Sequence, residues 1–348
     1  MNVALVVGGL GVVGRALIAK LDNDPGWRAV GLARRAPDFQ TGARFVSVDL
    51  HDRAACAAKL GDLSEVTHVF FTPYSAQPTL AGDETANLAL LVNFMEAFEP
   101  RAPKLAHVQL MQGTKWYGTQ FGPFANPAKE DDPRHIPPNF YYAQQDWLVE
   151  RRRGKRWSWS ALRPQGIWGL AVASPISQMC GLAIYGAISK HLGLPLRFPG
   201  KPGAFTAVYQ MTEAAHLAEG MLWAATDPRA ADQAFNFTNG DFVRWCNMWP
   251  KIAEFFGCAP GPVQTVSLAT MMADKEPLWA EIVAKHGLEP YRIADLVHWP
   301  FLDWVYGTEY DQMSSMTKAR QHGWTAVQDS EEMVLRMLAA LRAERIIP

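Results

Sequence analysis

The sequence predicts an α/β protein built on a doubly wound parallel sheet, followed by a smaller, mostly helical region. Three observations carry that prediction. Short apolar, β-branched runs alternate with helix-periodic stretches through the first half, as strands and crossover helices do. Gly8, Gly11 and Gly14 stand at GxxGxxG spacing between the first such run and the first helical pattern. Beyond about residue 170 the alternation loosens, and tryptophan, methionine and proline become frequent.

The elements follow in order. NVALVVGG (2–9) is a continuous apolar run, as expected of a strand buried on both faces, and VVGRALIAKL (12–21) carries helical periodicity. RAVGLARR (28–35), ARFVSVDL (43–50), THVFFT (67–72) and KLAHVQLM (104–111) are further strand candidates. RAACAAKL (53–60) and ETANLALLVNFMEAF (84–98) are helix candidates between them. The basic run RRRGKR (151–156) reads as a solvated helix end and loop, since cations suit a helix C-terminus. SQMCGLAIYGAISKHLG (177–193) reads as a helix, AFTAVY (204–209) as a strand and TEAAHLAEGMLWAAT (212–226) as a helix. The remainder is expected to be helical, with FNFTNGD (235–241) interrupting just before it and the proline-bearing HWPFLDW (298–304) within it. This organisation predicts a dinucleotide-binding Rossmann-type domain over 1–170, completed by parts of 205–240. A mostly helical substrate-binding region is expected over 171–348.

Composition narrows the function classes. Apolar residues make up 49% and charged residues 19%, enough to bury a sizeable core and too few charges for global disorder. With 33 basic against 34 acidic side chains, neither nucleic acid nor an anionic membrane is expected as the main partner. Val3–Val7 is too short for a signal-peptide core, and no stretch approaches the roughly 20 apolar residues of a membrane span, so a cytoplasmic protein is expected. The four cysteines and nine histidines show neither CxxC nor HExxH spacing, and no metal site is expected. No GxSxG is present to support hydrolase chemistry.

The glycines gain meaning from their strand–turn–helix context. They permit a tight turn and let backbone N–H groups approach a pyrophosphate at the positive end of the helix. An NAD enzyme carries an acid about 20 residues further on, to hydrogen-bond the ribose. Here Ala33-Arg34-Arg35 occupies that position, with no acid between Trp27 and Pro37. Two arginines suit a 2′-phosphate through charge-assisted bonds, so NADP(H) is expected rather than NAD. Asp49, ending VSVDLHD, is placed either to meet the adenine edge or to cap the following helix. Val12, Val13, Leu50, Gln112 and Ile167 are the further positions expected at the cofactor.

NFYYAQQD (139–146) opens a helix with adjacent tyrosines, yet none of the nine tyrosines has lysine four residues on. Lys115 lies upstream in VQLMQGTKWYGTQFGPF, just past the end of a strand pattern at about Met111. Strand C-termini are where doubly wound sheets bind ligands, so that lysine can share a cleft with a tyrosine of the next helix. Its ammonium would lower the phenol's pKa or fix its orientation. Plain core packing is the alternative for Tyr141, and the stronger alternative for Tyr142, since adjacent helical residues face different ways.

The blocks GTKWYG…GPF, NFYY, WSALRPQGIWG, AIYGAISKHLGLPLRFPG, AFNFTNGD and KEPLWAEIVAKHGL together resemble the progesterone 5β-reductase and iridoid synthase-like family of atypical, extended short-chain dehydrogenases. The resemblance runs from the glycine loop to the closing IIP. It implies that Lys115 and Tyr141 are the catalytic pair and that Arg34 and Arg35 serve NADP(H). It also implies that Phe124 and Phe301 line a substrate pocket; Trp116, beside Lys115, is a further pocket candidate. The implied chemistry is 1,4-reduction of an enone or enal. There are departures: Gln112 stands where a threonine is usual, the loop after Lys115 is longer, and Gln145-Asp146 replaces an acidic pair. Two other readings stay open, an NADPH carbonyl reductase or sugar-nucleotide epimerase of the same fold and a non-catalytic NADP-sensing regulator. An apolar helical face leaves a homodimer open.

Overall fold

The computed structural model of the protein describes residues 1–171 and 177–348. Its strands are β1 (Asn2–Val7), β2 (Trp27–Ala33), β3 (Arg44–Ser47), β4 (His68–Phe71), β5 (His107–Met111), β6 (Ser158–Pro164), β7 (Ile167–Trp168), β8 (Thr212–Glu213) and β9 (Gln233–Phe237). Seven of them form one sheet in the order β3-β2-β1-β4-β5-β6-β9, and every pairing is parallel. The order reverses direction between β1 and β4, the switch point outside whose strand C-termini such sheets bind ligands.

The helices of the first half are α1 (Val12–Asp22), α2 (Arg53–Lys59), α3 (Leu80–Phe98) and α4 (Phe140–Arg152). Those that follow are α5 (Gln178–His191), α6 (Pro202–Thr206), α7 (Ala214–Thr226), α8 (Trp245–Phe255), α9 (Leu268–Met271), α10 (Glu276–His286), α11 (Ile293–Leu296), α12 (Trp299–Gly307), α13 (Thr317–Gln321) and α14 (Ser330–Ala343).

The chain divides into two compact units, one comprising Met1–Gln165, Ala214–Phe237 and Ser315–Thr325, the other Gly166–Glu213, Thr238–Ser314 and Ala326–Pro348. In the first, strand alternation explains the continuous apolar runs. Leu5, Val7, Val69, Phe71, Val108 and Leu110 share a core with Leu91, Phe94 and Phe98 of α3 and Leu148 of α4. Gln109, between Val108 and Leu110, points the other way and donates to the Met221 carbonyl of α7 at 3.0 Å. Both faces are therefore covered, as a parallel sheet requires. The second unit is built around a separate core, in which Trp168, Trp245, Trp249, Trp279, Phe198 and Tyr306 are buried.

Two sequence expectations are corrected. Over AFTAVY there is no strand: Pro202–Thr206 is a short helix, and only Tyr209 bridges, antiparallel, to Val243. Pro202 explains this, since a proline in a first helical turn presets φ and gives up no needed donor. The same physics makes Pro300 start α12, so HWPFLDW opens a helix instead of interrupting one. The first residues of FNFTNGD, where the helical pattern is interrupted, belong to β9, the seventh strand of the main sheet. The basic run behaves as expected: α4 ends at Arg152, and Arg151 and Arg152 pair with Glu99 and Asp232 at 2.7 and 2.9 Å.

Candidate active site

At the switch point, Gly8 and Gly9 both donate to the Leu32 carbonyl, at 2.9 and 3.1 Å, and the chain then turns into α1. Two glycines are sterically required. Gly8 has φ +84°, a left-handed conformation that side chains disfavour, and a Cβ on Gly14 would stand 2.3 Å from the Gly8 carbonyl oxygen. A Cβ on Gly11 would meet only that oxygen, at 3.5 Å, so space remains on this side of the loop. Gly11 caps α1 without a side-chain acceptor, and the first turn, with Val12 and Val13, holds no acid. The free N–H groups and the positive helix end suit an anion.

Arg34 and Arg35 follow β2 directly and are exposed. Ser47 Oγ donates to the Arg34 carbonyl at 3.1 Å and ties down the loop. Arg15, a basic residue that sequence reasoning missed, reaches the same loop from α1, 3.4 Å from Asp38 and stacked on Phe39 at 4.5 Å. The cap of α2 is Asp52, not Asp49: Asp49 accepts from His51 N at 3.0 Å and closes a turn. Leu50 beside it is buried.

Past β5 the chain makes one tight turn, Thr114–Tyr117, that carries Lys115. The tyrosine helix α4 begins at Asn139, which joins the two segments. Its Oδ1 accepts from Tyr141 N at 3.0 Å, while its Nδ2 donates to the Lys115 carbonyl at 2.8 Å. An asparagine just before a helix pattern is an N-cap signal that could have marked it. Tyr141 swings over the end of the sheet, where a Cβ on Gly113 would lie 3.1 Å from its Oη and 3.6 Å from the Pro164 carbonyl. The ring of Tyr141 packs on Phe140 at 4.1 Å, Phe140 stacks on Tyr74 at 5.3 Å, and Lys115 Nζ lies over the Tyr74 ring at 5.4 Å. Lysine and tyrosine thus belong to one contiguous cluster.

Electrostatics in the cluster follow from burial. Burial pushes the Lys115 ammonium below its ordinary pKa, with Asp83 working in the opposite direction. Burial raises the Tyr141 phenol, and Tyr74 and Asp83 add to that rise. Tyr141 is accordingly a protonated hydrogen-bond donor at neutral pH. Tyr142 has a different role: its buried hydroxyl donates to the Trp116 carbonyl and accepts from His135 N at 2.8 Å.

Behind this cluster lies a buried arginine that sequence reasoning did not single out. Arg163 of β6 donates to Gln112 Oε1 at 3.0 Å, Tyr117 Oη at 3.1 Å and the Glu130 carbonyl at 3.2 Å. It stacks on Trp116 at 3.6 Å, and Gln145 Oε1 lies at 3.5 Å. Gln112 Nε2 in turn donates to Gln145 Oε1 at 3.2 Å. The two glutamines that depart from the family pattern are therefore partners of each other. Trp116 is buried between Arg163 and Arg134, and Phe124 is half-buried against the cluster holding Trp116 and Tyr142. Ile167, in β7, and Phe301, in α12, belong to the second unit, where Phe301 stacks on Trp304 at 6.1 Å. Among the described residues no cluster of histidine, cysteine, aspartate or glutamate is arranged to hold a metal, and no helix is long and apolar enough to cross a membrane.

A solved UDP-glucose 4-epimerase from Thermotoga maritima aligns over 98% of this chain and 99% of its own, with a TM-score of 0.70 and 17% identity. A short-chain dehydrogenase/reductase superfamily protein from Agrobacterium tumefaciens, with bound NAD, aligns with a TM-score of 0.66 and 16% identity over 99% of this chain and 98% of its own. At such identities these likenesses speak to fold alone. Sequence relatives are nearer. The (S)-8-oxocitronellyl enol synthase of Nepeta cataria is 35% identical, the match covering 100% of this chain and 93% of that enzyme. The 3-oxo-Δ(4,5)-steroid 5β-reductase of Arabidopsis thaliana is 34% identical with the same coverage. The family model for the PRISE-like Rossmann-fold domain matches residues 47–348, and the chain belongs to that family.

Proposed function

We propose that the protein is an NADPH-dependent reductase of activated C=C bonds, acting on enones or enals by 1,4-reduction. The observation that carries this is the Tyr141 hydroxyl, held protonated over the C-terminal ends of β5 and β6, with Lys115 in the same cluster. The relatives named as an enol synthase and a Δ(4,5)-steroid 5β-reductase support the same reaction class.

The residues around the first turn fit the cofactor. Gly8 and Gly14 permit the tight turn, open space remains beside Gly11, α1 offers an N-terminus without a side-chain cap, and Arg34 and Arg35 stand exposed beyond β2. Val12, Val13, Asp49, Leu50 and Gln112 are the further chain contacts proposed for it, Gln112 through its backbone, because its amide is engaged by Arg163 and Gln145. When bound, NADPH would supply a hydride to the β-carbon of the conjugated system. As negative charge develops on the carbonyl oxygen, Tyr141 donates a hydrogen bond to it and the Lys115 ammonium stabilises it from behind. The α-carbon takes its proton from water, which completes the saturated product. Trp116 and Phe124 are proposed on the substrate side, while the roles of Ile167 and Phe301, like that of the second unit as the substrate-binding region, rest on sequence alone.

The test is NADPH oxidation with cyclic enones, enals and saturated ketones, the products being identified. Saturated ketone or aldehyde is the expected product, and Tyr141→Phe and Lys115→Met each slow its formation at least about tenfold. Allylic alcohol as the product would assign the protein to carbonyl reduction, and wild-type rates in both variants would refute the site.

A further inference from the structure

We propose that Asp83 is a positioning residue for Lys115, holding the ammonium charged and oriented from across a small shared cavity; this rests on Lys115 and Tyr141 being the reactive pair. The cavity has a volume of about 30 Å³, and Asp83, Lys115, Gln120 and Asn139 are among the residues lining it. Asp83 sits in the first turn of α3, where a carboxylate suits the helix dipole. Its orientation is constrained on both oxygens: Oδ1 accepts from Gln77 N at 2.6 Å and Oδ2 from Tyr74 Oη at 3.1 Å.

Asp83 thereby fixes the Tyr74 ring, and that ring carries the Lys115 ammonium on its face. Among the described residues no carboxylate lies in direct contact with Lys115 Nζ, so the ammonium is not locked in an ion pair. Other groups do not replace Asp83. From the loop after β4 comes Tyr74 itself, and from α4 comes Tyr141, both neutral; the Glu84 carboxylate of α3 is engaged by Asn139 N at 2.9 Å. An ammonium that has lost much of its hydration needs a compensating charge in a medium of low dielectric. Asp83 supplies it without occupying the position where a substrate oxygen must be reached. The burial effects agree, since Asp83 is the group that opposes the desolvation of Lys115.

Asp83→Asn preserves shape and the acceptor for Gln77 while removing the charge. Two readouts are followed from about pH 6 to about pH 10. One is kcat for enone reduction; the other, independent of activity, is acetylation of Lys115 by acetic anhydride in the full chain, followed by mass spectrometry. The variant is expected to reach half-maximal labelling at lower pH and to lose the alkaline limb of its rate profile earlier. Its kcat loss should be at least about threefold larger at high pH than at neutral pH. Asp83→Glu, retaining the charge, should restore the wild-type labelling midpoint. Asp83→Ser, a neutral residue suited to a first helical turn, carries the same prediction should the asparagine variant not fold. Unchanged labelling midpoints in the neutral variants, with a uniform loss of rate or thermal stability, would overturn the proposal. A wild-type chain that reduces no enone, yet shows the labelling shift, would remove the functional reading and leave the coupling of Asp83 to Lys115 in place.

Discussion

Asn139 offers a direct measure of how the lysine turn and the tyrosine helix are joined. Its side chain makes two bonds with different physical consequences. Oδ1 caps α4 by accepting from Tyr141 N, and Nδ2 ties down the Lys115 carbonyl. Loss of an N-cap acceptor costs about 1 kcal/mol. Loss of the second bond costs about 1 kcal/mol as well, at the low end for a buried group because Gly118 N still donates to that carbonyl at 3.2 Å. Asn139→Ala should therefore lower stability by about 2 kcal/mol, and Asn139→Ser, which keeps a capping oxygen but cannot span to Lys115, by about 1 kcal/mol. Urea denaturation reads both as midpoint shifts at constant slope. Enone reduction should respond differently: both variants release the Lys115 turn, so both should lose similar activity despite unequal stability. Equal stability losses in the two variants would show that the cap contributes nothing, and wild-type stability in Asn139→Ser would show that the amide bridge contributes nothing. Wild-type kcat in Asn139→Ser would show that Lys115 is positioned without it.

Three further outcomes follow from the same geometry. Tyr142→Phe removes a buried hydroxyl bonded to Trp116 and His135, and should cost about 2 kcal/mol in denaturation while leaving the reduction rate within about twofold, unlike Tyr141→Phe. Replacing Arg34 and Arg35 together by alanine should raise KM for NADPH at least about tenfold and leave KM for NADH nearly unchanged, because only the 2′-phosphate loses its partners. His107 and His68 are held neutral by burial, at about 3 and about 4, below the ordinary value of 6.5. The unfolded chain then binds more protons between those values, so stability falls as pH drops from about 6.5 towards 4. The thermal midpoint of His107→Gln should show a weaker acid dependence over that window; an unaltered pH dependence would contradict the assignment.

Legibility in the sequence tracked locality. The strands 2–7, 68–71 and 107–111 were readable because a strand buried on both faces needs an unbroken apolar run, and nothing distant alters that. Gly8 and Gly14 were readable because the turn they make is four to seven residues across. AFTAVY, as a short apolar run, fits a strand or a helix equally, and Pro202, just outside it, decides the matter. HWPFLDW (298–304) reads as a break because proline usually ends a helix, whereas Pro300 stands in the first turn of α12, where it is a start.

The candidate site divides in the same way. Residue type and spacing pointed to an NADP(H) loop, to a tyrosine without its usual lysine, and to Lys115 on a strand rim within reach of the same cleft; the family resemblance paired it with Tyr141. Only the tertiary structure decided that Tyr141 faces Gly113 while Tyr142 is bonded into the interior, since adjacent helical residues diverge and burial chooses between them. Only the structure decided, too, that Gln112 and Gln145 are partners through Arg163, that Asp83 and Lys115 line one small cavity, and that Tyr74 is bonded to the first and carries the second on its ring. Each of these depends on which charge or hydroxyl lies opposite, at separations of tens of residues. In a low-dielectric interior that neighbour, more than the side chain itself, sets what the group can do.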